Sequence, residues 1–136
     1  MPSLVVYGTG WLATALMLAA ISGPSITYLL RRSRRPTPGR LNFWHYRFGL
    51  SATAVAMLHT LVSITRSSFP TLAEVGLVMA STAFGLAAMQ AVIGATMRSM
   101  QGQELRRARR YHLAIVPALV IAVGLHVALD GPLPAS

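Results

Sequence analysis

The sequence predicts an all-α integral membrane protein, a four-helix up-down bundle that forms one transmembrane domain over residues 1–136. Three observations predict it. Hydrophobic residues make up 54% of the chain and charged residues only 11%, whereas a soluble domain carries about a quarter charged residues. Four apolar runs each reach the ~20 residues that a helix needs to cross a bilayer. Proline, glycine and arginine cluster between those runs, in connections too short to hold a separate soluble domain.

The first run covers about 4–30. No positive charge precedes it, and it is longer than a signal-peptide core, so it reads as a retained helix. Gly23-Pro24 interrupts it and predicts a kink or an early stop. Arg31-Arg32-Ser33-Arg34-Arg35 closes it, and Pro36-Thr37-Pro38-Gly39-Arg40 reads as a basic turn. The second run, about 42–65, opens with Phe43-Trp44-His45-Tyr46, aromatic residues of the kind that sit at headgroup depth. It gives way to a loop at Arg66-Ser67-Ser68-Phe69-Pro70. The third run covers about 72–97. A basic loop, 98–110, contains Arg106-Arg107-Ala108-Arg109-Arg110. The fourth run, about 111–129, is stopped by Asp130-Gly131-Pro132.

The net charge is +9, and all twelve basic residues are arginines. A basic balance can mark a nucleic-acid-binding protein, but these arginines sit in short segments between apolar runs. That distribution is topogenic and predicts no nucleic-acid partner; the partner it predicts is membrane lipid. By the positive-inside rule, the first and third connections face the cytoplasm and both termini lie outside, in the inner (plasma) membrane of the cell. The chain has no cysteine, which excludes disulfides, thiolate-bound zinc, iron–sulfur clusters and thioether attachment of a cofactor.

All four histidines fall in two pairs of identical spacing, His45 with His59 on the second run and His112 with His126 on the fourth. A step of fourteen residues turns a helix by ~1400°, about 40° short of four rotations, and advances it by about 21 Å. The two rings of a pair therefore share a face but cannot share a metal ion. The arginine topology makes the second and fourth helices parallel. His45 and His112 then fall near the cytoplasmic end, and His59 and His126 nearer the outer face. This predicts two sites, each taking one histidine from each helix.

Two imidazoles are too few for zinc, which takes four protein ligands in structural sites and usually three in catalytic ones. A carboxylate-rich di-iron site would have only Glu74, Glu104 and Asp130 to draw on, all near segment ends. A haem brings four nitrogens of its own and asks the protein for two axial ligands. The pattern predicts two non-covalent b-type haems. His45 and His112 are the axial ligands on the cytoplasmic side, and His59 and His126 on the outer side.

The neighbours fit a broad planar cofactor. The histidine face of the second run carries Gly49, Ala52, Ala56 and Ser63, small residues that give haem clearance. A stripe on the third run reads Gly76, Ala80, Ala83, Ala87, Ala91 and Gly94, and the first run offers Gly8, Ala15, Ala19, Ser22 and Gly23. Such stripes also serve close helix packing. The fourth run is bulkier between its histidines, with Val116, Leu119, Ala122 and Val123. Arg66, seven residues beyond His59, is the candidate propionate contact of the outer haem, because it runs against the positive-inside bias. Arg40, Arg47, Arg109 and Arg110 are candidates for the inner one.

Through these residues the chain resembles the four-helix dihaem core of cytochrome b from the quinol–cytochrome oxidoreductases. There too the second and fourth helices each carry two histidines at this spacing, and glycines on the first and third make room for the haems. The stretch Trp44-His45-Tyr46-Arg47-Phe48-Gly49, followed by His59, is also similar to ferric-reductase-like membrane cytochromes. The chain departs from these families in its predicted outside N-terminus, and it lacks the second half of a full cytochrome b and the extra helices of ferric reductases.

The resemblance implies electron transfer across the membrane between two stacked bis-histidine haems. The chain would serve quinone or redox-protein partners, as a subunit of a larger complex or a homo-oligomer. An electron carrier is expected over a stand-alone oxidoreductase. One alternative is a self-contained quinol or metal-ion reductase or oxidase using the same two haems, with Glu74, Asp130 or Gln90 handling a quinol proton. Another is a haem-free transporter or assembly factor with the histidines as proton relays.

Overall fold

The computed structural model of the chain describes residues 2–33, 41–64 and 75–130. Among these residues it forms four α-helices: α1 (Pro2–Arg32), α2 (Leu41–Ile64), α3 (Val75–Thr96) and α4 (Gly102–Asp130). Each contains a stretch long and apolar enough to cross a membrane, namely Leu4–Arg32, Leu41–Ile64, Val75–Thr96 and Gly102–Leu129. The chain divides into two compact units, Met1–Ser63 and Ile64–Ser136. The first contains α1 and α2, and the second α3 and α4.

A backbone in hydrocarbon has no water to bond to, so it must satisfy its own polar groups, and the helix does this within one segment. The hydroxyl side chains follow the same rule. Thr14 Oγ1 donates to the Gly10 carbonyl at 3.0 Å, Thr53 Oγ1 to Gly49 at 3.0 Å, Thr60 Oγ1 to Ala56 at 2.9 Å and Ser63 Oγ to His59 at 2.7 Å. Each bonds back one turn along its own helix. A residue that reads as polar in sequence is thereby made compatible with an apolar surface. That surface is broad. On α2, Phe43, Leu50, Met57, Leu58, Leu61 and Ile64 are all exposed. In water such a face would aggregate, whereas in a bilayer it is the lipid contact.

Two sequence expectations are corrected. Pro24 neither stops α1 nor shortens it, and the helix continues to Arg32. Proline withholds one helical donor, the one that would meet the Ala20 carbonyl, and His45 Nδ1 lies 2.7 Å from that oxygen. Around it Ser22 Oγ donates to Ala19 at 2.7 Å, Ser25 Oγ to Ile21 at 2.9 Å and Thr27 Oγ1 to Gly23 at 3.0 Å. Proline is tolerated in membrane helices when freed groups find such partners.

The second correction concerns the basic loop. Residues 102–110 belong to α4. Arginine is a good helix former, and Glu104 lies in the first turn, where the helix dipole favours negative charge. The arginine cluster is thus an exposed helical extension of the membrane segment. With 29 residues, α4 is about 43 Å long at 1.5 Å per residue, longer than the ~30 Å hydrocarbon core. The first two or three turns therefore have length to spare for the headgroup region.

The α3–α4 unit has a small-residue core. Gly76, Ala83 and Gln90, seven residues apart on α3, are buried, as are Leu119 and Ala122 of α4. The predicted α3 stripe therefore faces a packed interior. The connection between the helices is tight. Arg98 N donates to the Ala95 carbonyl at 3.3 Å and Ser99 N to Thr96 at 3.1 Å. Gly102 then enters α4 with φ of +56°, a conformation that disfavours any side chain by about 1–2 kcal/mol.

Gly102→Ala should lower the stability of the chain in detergent by about that amount. Gly85, in a helix interior with open space at its Cβ position, gives the control: Gly85→Ala should leave stability unchanged or raised. The check is the midpoint of thermal unfolding followed by far-UV circular dichroism.

Candidate functional site

The site is built from α1 and α2 outward. The side chains of His45 and His59 both reach α1, and both use Nδ1 to do so. His45 Nδ1 lies 2.7 Å from the Ala20 carbonyl oxygen, and His59 Nδ1 lies 3.0 Å from that of Val6. A carbonyl oxygen can only accept, so Nδ1 carries the proton in each ring. In the neutral imidazole the lone pair then resides on Nε2. Two histidines fourteen residues apart are held in the same tautomer by the backbone of one neighbouring helix.

Thr9 completes the outer of these contacts. Its hydroxyl donates to the Val5 carbonyl at 2.8 Å or to that of Val6 at 3.0 Å, and its oxygen lies 3.2 Å from His59 Nδ1. With the hydroxyl proton directed to a carbonyl, the oxygen is placed to accept from the ring.

Close approach of α1 to α2 requires missing side chains, and α1 supplies them at matching intervals. A Cβ on Gly10 would stand 3.1 Å from His59 Cε1. One on Gly23 would stand 3.3 Å from the Leu41 carbonyl oxygen and 3.7 Å from His45 Cβ. Gly10 and Gly23 are thirteen residues apart and their histidine neighbours fourteen, as expected of two antiparallel helices in register. Gly23 belongs to the predicted α1 stripe. Gly8 does not serve, being exposed with nothing near its Cβ position. The glycine that meets His59 is Gly10, and neither it nor Thr9 stands out in a search for small residues alone. Spacing does not separate the two glycines, since Gly8 and Gly10 lie fifteen and thirteen residues from Gly23 and the histidines are fourteen apart.

The second unit repeats part of this plan. A Cβ on Gly94 of α3 would lie 3.7 Å from His112 Cε1, an ordinary contact. Gln90, one turn earlier and buried, donates from Nε2 to the His112 carbonyl at 2.7 Å. Its Oε1 is buried with no hydrogen-bond partner among the described residues. Gln90 is thus tied to the backbone of a candidate ligand. His126 is half-buried on α4.

Other predicted site residues fall as follows. Gly49, Ala52 and Ala56 are half-buried on α2, and the space at the Gly49 Cβ position is open. Arg47 is exposed, and its guanidinium lies 4.8 Å over the Phe43 ring. It belongs to an aromatic group in which Trp44 stacks on Phe48 at 5.5 Å, an arrangement suited to the membrane interface. Arg109 and Arg110 are exposed on the first turns of α4. Arg66, Arg40 and Glu74 lie outside the described residues. Among the described residues, no three His, Asp or Glu side chains gather as a metal-binding group.

The chemistry of this donor set can be tested against a haem. Metal-bound histidines hold their second ring nitrogen with a carbonyl, a carboxylate or water, which sets the tautomer and raises the basicity of the ligating nitrogen. His45 and His59 meet that requirement, with backbone carbonyls as the partners. In this respect His45 and His59 fit the group.

No protein-family model, curated protein or solved structure matches the chain.

The glycine contacts carry a graded expectation. Gly10→Val drives methyl groups into the His59 ring and should destabilise the chain by about 1–3 kcal/mol, the usual range for overpacking. Gly94→Ala adds a methyl at ordinary contact distance and should change stability by less than about 1 kcal/mol. Unfolding midpoints in detergent separate the two, and equal effects would contradict the assigned contacts.

Proposed function

We propose that the chain is a dihaem b-type membrane cytochrome that carries electrons across the bilayer. In this reading His45 and His112 ligate the haem on the cytoplasmic side, and His59 and His126 the haem on the outer side. The observation that carries the proposal is the pair of Nδ1–H bonds from His45 and His59 to α1 carbonyls. They leave Nε2 as the lone-pair nitrogen on both rings, the state an axial ligand requires. A proton relay gains nothing from holding two histidines in one fixed tautomer at one spacing. An axial ligand does.

A bound haem supplies a one-electron ferric/ferrous couple. The chain's residues do the rest. His45, His59, His112 and His126 would each offer one lone pair, two to each haem. That would leave no position open to oxygen or a small substrate. This favours an electron carrier over an enzyme acting on a ligand at the iron. Gly10, Gly23 and Gly94 let the helices close on the histidines, and the carbonyls of Val6 and Ala20 hold two rings in place. The exposed hydrophobic surface meets lipid. In the proposed orientation the arginine-rich connections face the cytoplasm, in the inner membrane. Electrons are exchanged at the two faces with quinone or redox-protein partners, within a larger complex or a homo-oligomer.

The purified chain should show a b-type reduced-minus-oxidised spectrum with about two haems per chain, as expected for bis-histidine sites. His59→Ala should remove one haem and retain the other, and the remaining band reports that the fold survives. A colourless protein sinks the proposal, and a variant that keeps both haems refutes the ligand pairing.

A further inference from the structure

The acceptor chosen by His45 is not an arbitrary carbonyl. Ala20 stands four residues before Pro24. In a helix the carbonyl of residue i accepts from the N–H of residue i+4, and proline has no N–H. Ala20 is therefore the residue of α1 whose carbonyl loses its helical donor to Pro24. It is 6% exposed, so water does not replace that donor. A buried carbonyl without a partner is unfavourable by about 1–3 kcal/mol. The His45 Nδ1–H meets this group at 2.7 Å.

The outer histidine offers an internal comparison. The Val6 carbonyl faces Gly10, which keeps its N–H, and it also lies 3.0 Å from Thr9 Oγ1. His59 reaches it at 3.0 Å, with Thr9 Oγ1 itself at 3.2 Å from the same Nδ1. The His59 proton is shared between two acceptors, and one of them, the Val6 carbonyl, keeps its helical donor. The His45 proton goes to an acceptor that the helix has given up. Gly23 and Pro24 act together here. Gly23 removes the side chain that would hold α2 away, and Pro24 removes the competing donor.

We infer that Pro24 is a positioning residue for His45: by withholding its N–H from the Ala20 carbonyl, it supplies the acceptor that fixes the His45 ring as the Nδ1–H tautomer and strengthens Nε2 as a donor. The tautomer part stands on the hydrogen bonds alone. The consequence for a metal rests on the haem reading. A stronger Nδ1–H bond gives the imidazole more anionic character, which favours the ferric state and lowers the potential. Restoring the competing N–H should raise the potential of one haem and leave the other unmoved.

The test uses the full-length chain in detergent micelles with Pro24→Ala, a change that replaces a helix breaker by the best helix former. Pro24→Leu restores the same N–H with a lipid-compatible side chain and must repeat the result. In haem-free protein labelled with 15N-histidine, NMR should show His45 as the Nδ1–H tautomer. In both variants its Nδ1 proton should move upfield and the Nε2–H tautomer should appear, with His59 unchanged. In haem-loaded protein, a redox titration should show one midpoint potential raised. Unchanged His45 resonances, or two unchanged potentials, overturn the inference. A chain that shows the NMR change but binds no haem upholds the role of Pro24 and sinks the cytochrome reading instead.

Discussion

The hydrogen bond from His45 Nδ1 to the Ala20 carbonyl joins the two requirements that govern this chain. One is that every backbone polar group in a bilayer must be satisfied without water. The other belongs to the proposed function, in which an imidazole used as a ligand must be locked in one tautomer. Pro24 creates a problem of the first kind, and His45 resolves it in a way that settles the second. The same logic recurs at weaker strength at Val6. Because the acceptors are backbone atoms of a membrane helix, they cannot rotate away as a side-chain partner can, and the rings inherit the rigidity of α1.

The four membrane segments are legible in the sequence because length and hydropathy are enough to specify them. Their ends are less so. The arginine cluster 106–110 reads as a loop because it is charged and polar, yet it is helical. Charge limits how deep a helix sits in a membrane, not whether the backbone is helical. Pro24 shows the opposite failure. Its effect on the helix depends on whether a partner exists for the freed Ala20 carbonyl, and that partner is a histidine on another helix. No local window of sequence contains that information.

The candidate ligands were legible for a related reason. Equal spacing on a helix survives translation into three dimensions, since 3.6 residues per turn is fixed. What surrounds them depends on the register between helices, which hydropathy does not encode. Gly8 and Gly10 are both small residues near the start of α1, and composition cannot rank them. With His45 beside Gly23, the antiparallel register brings His59 to Thr9, midway between Gly8 and Gly10, and the contact falls to Gly10. The choice between the two glycines is a consequence of packing.

The second unit adds a contact of another kind at His112. In the first, the neighbouring helix offers carbonyls to the rings themselves. In the second, Gln90 donates to the backbone of His112, so the side chain acts on the carbonyl and not on the imidazole. A buried glutamine whose Oε1 has no partner among the described residues is an expensive occupant of an apolar interior, where leucine would pack at no polar penalty. Holding α3 to α4 does not require it, since Gly76, Ala83, Leu119 and Ala122 are buried there as small or apolar residues. Its position one turn from Gly94 and bonded to His112 ties it to the candidate ligand. Among the described residues, the buried polar side chain Gln90 thus lies against a candidate ligand, a placement that packing alone does not require.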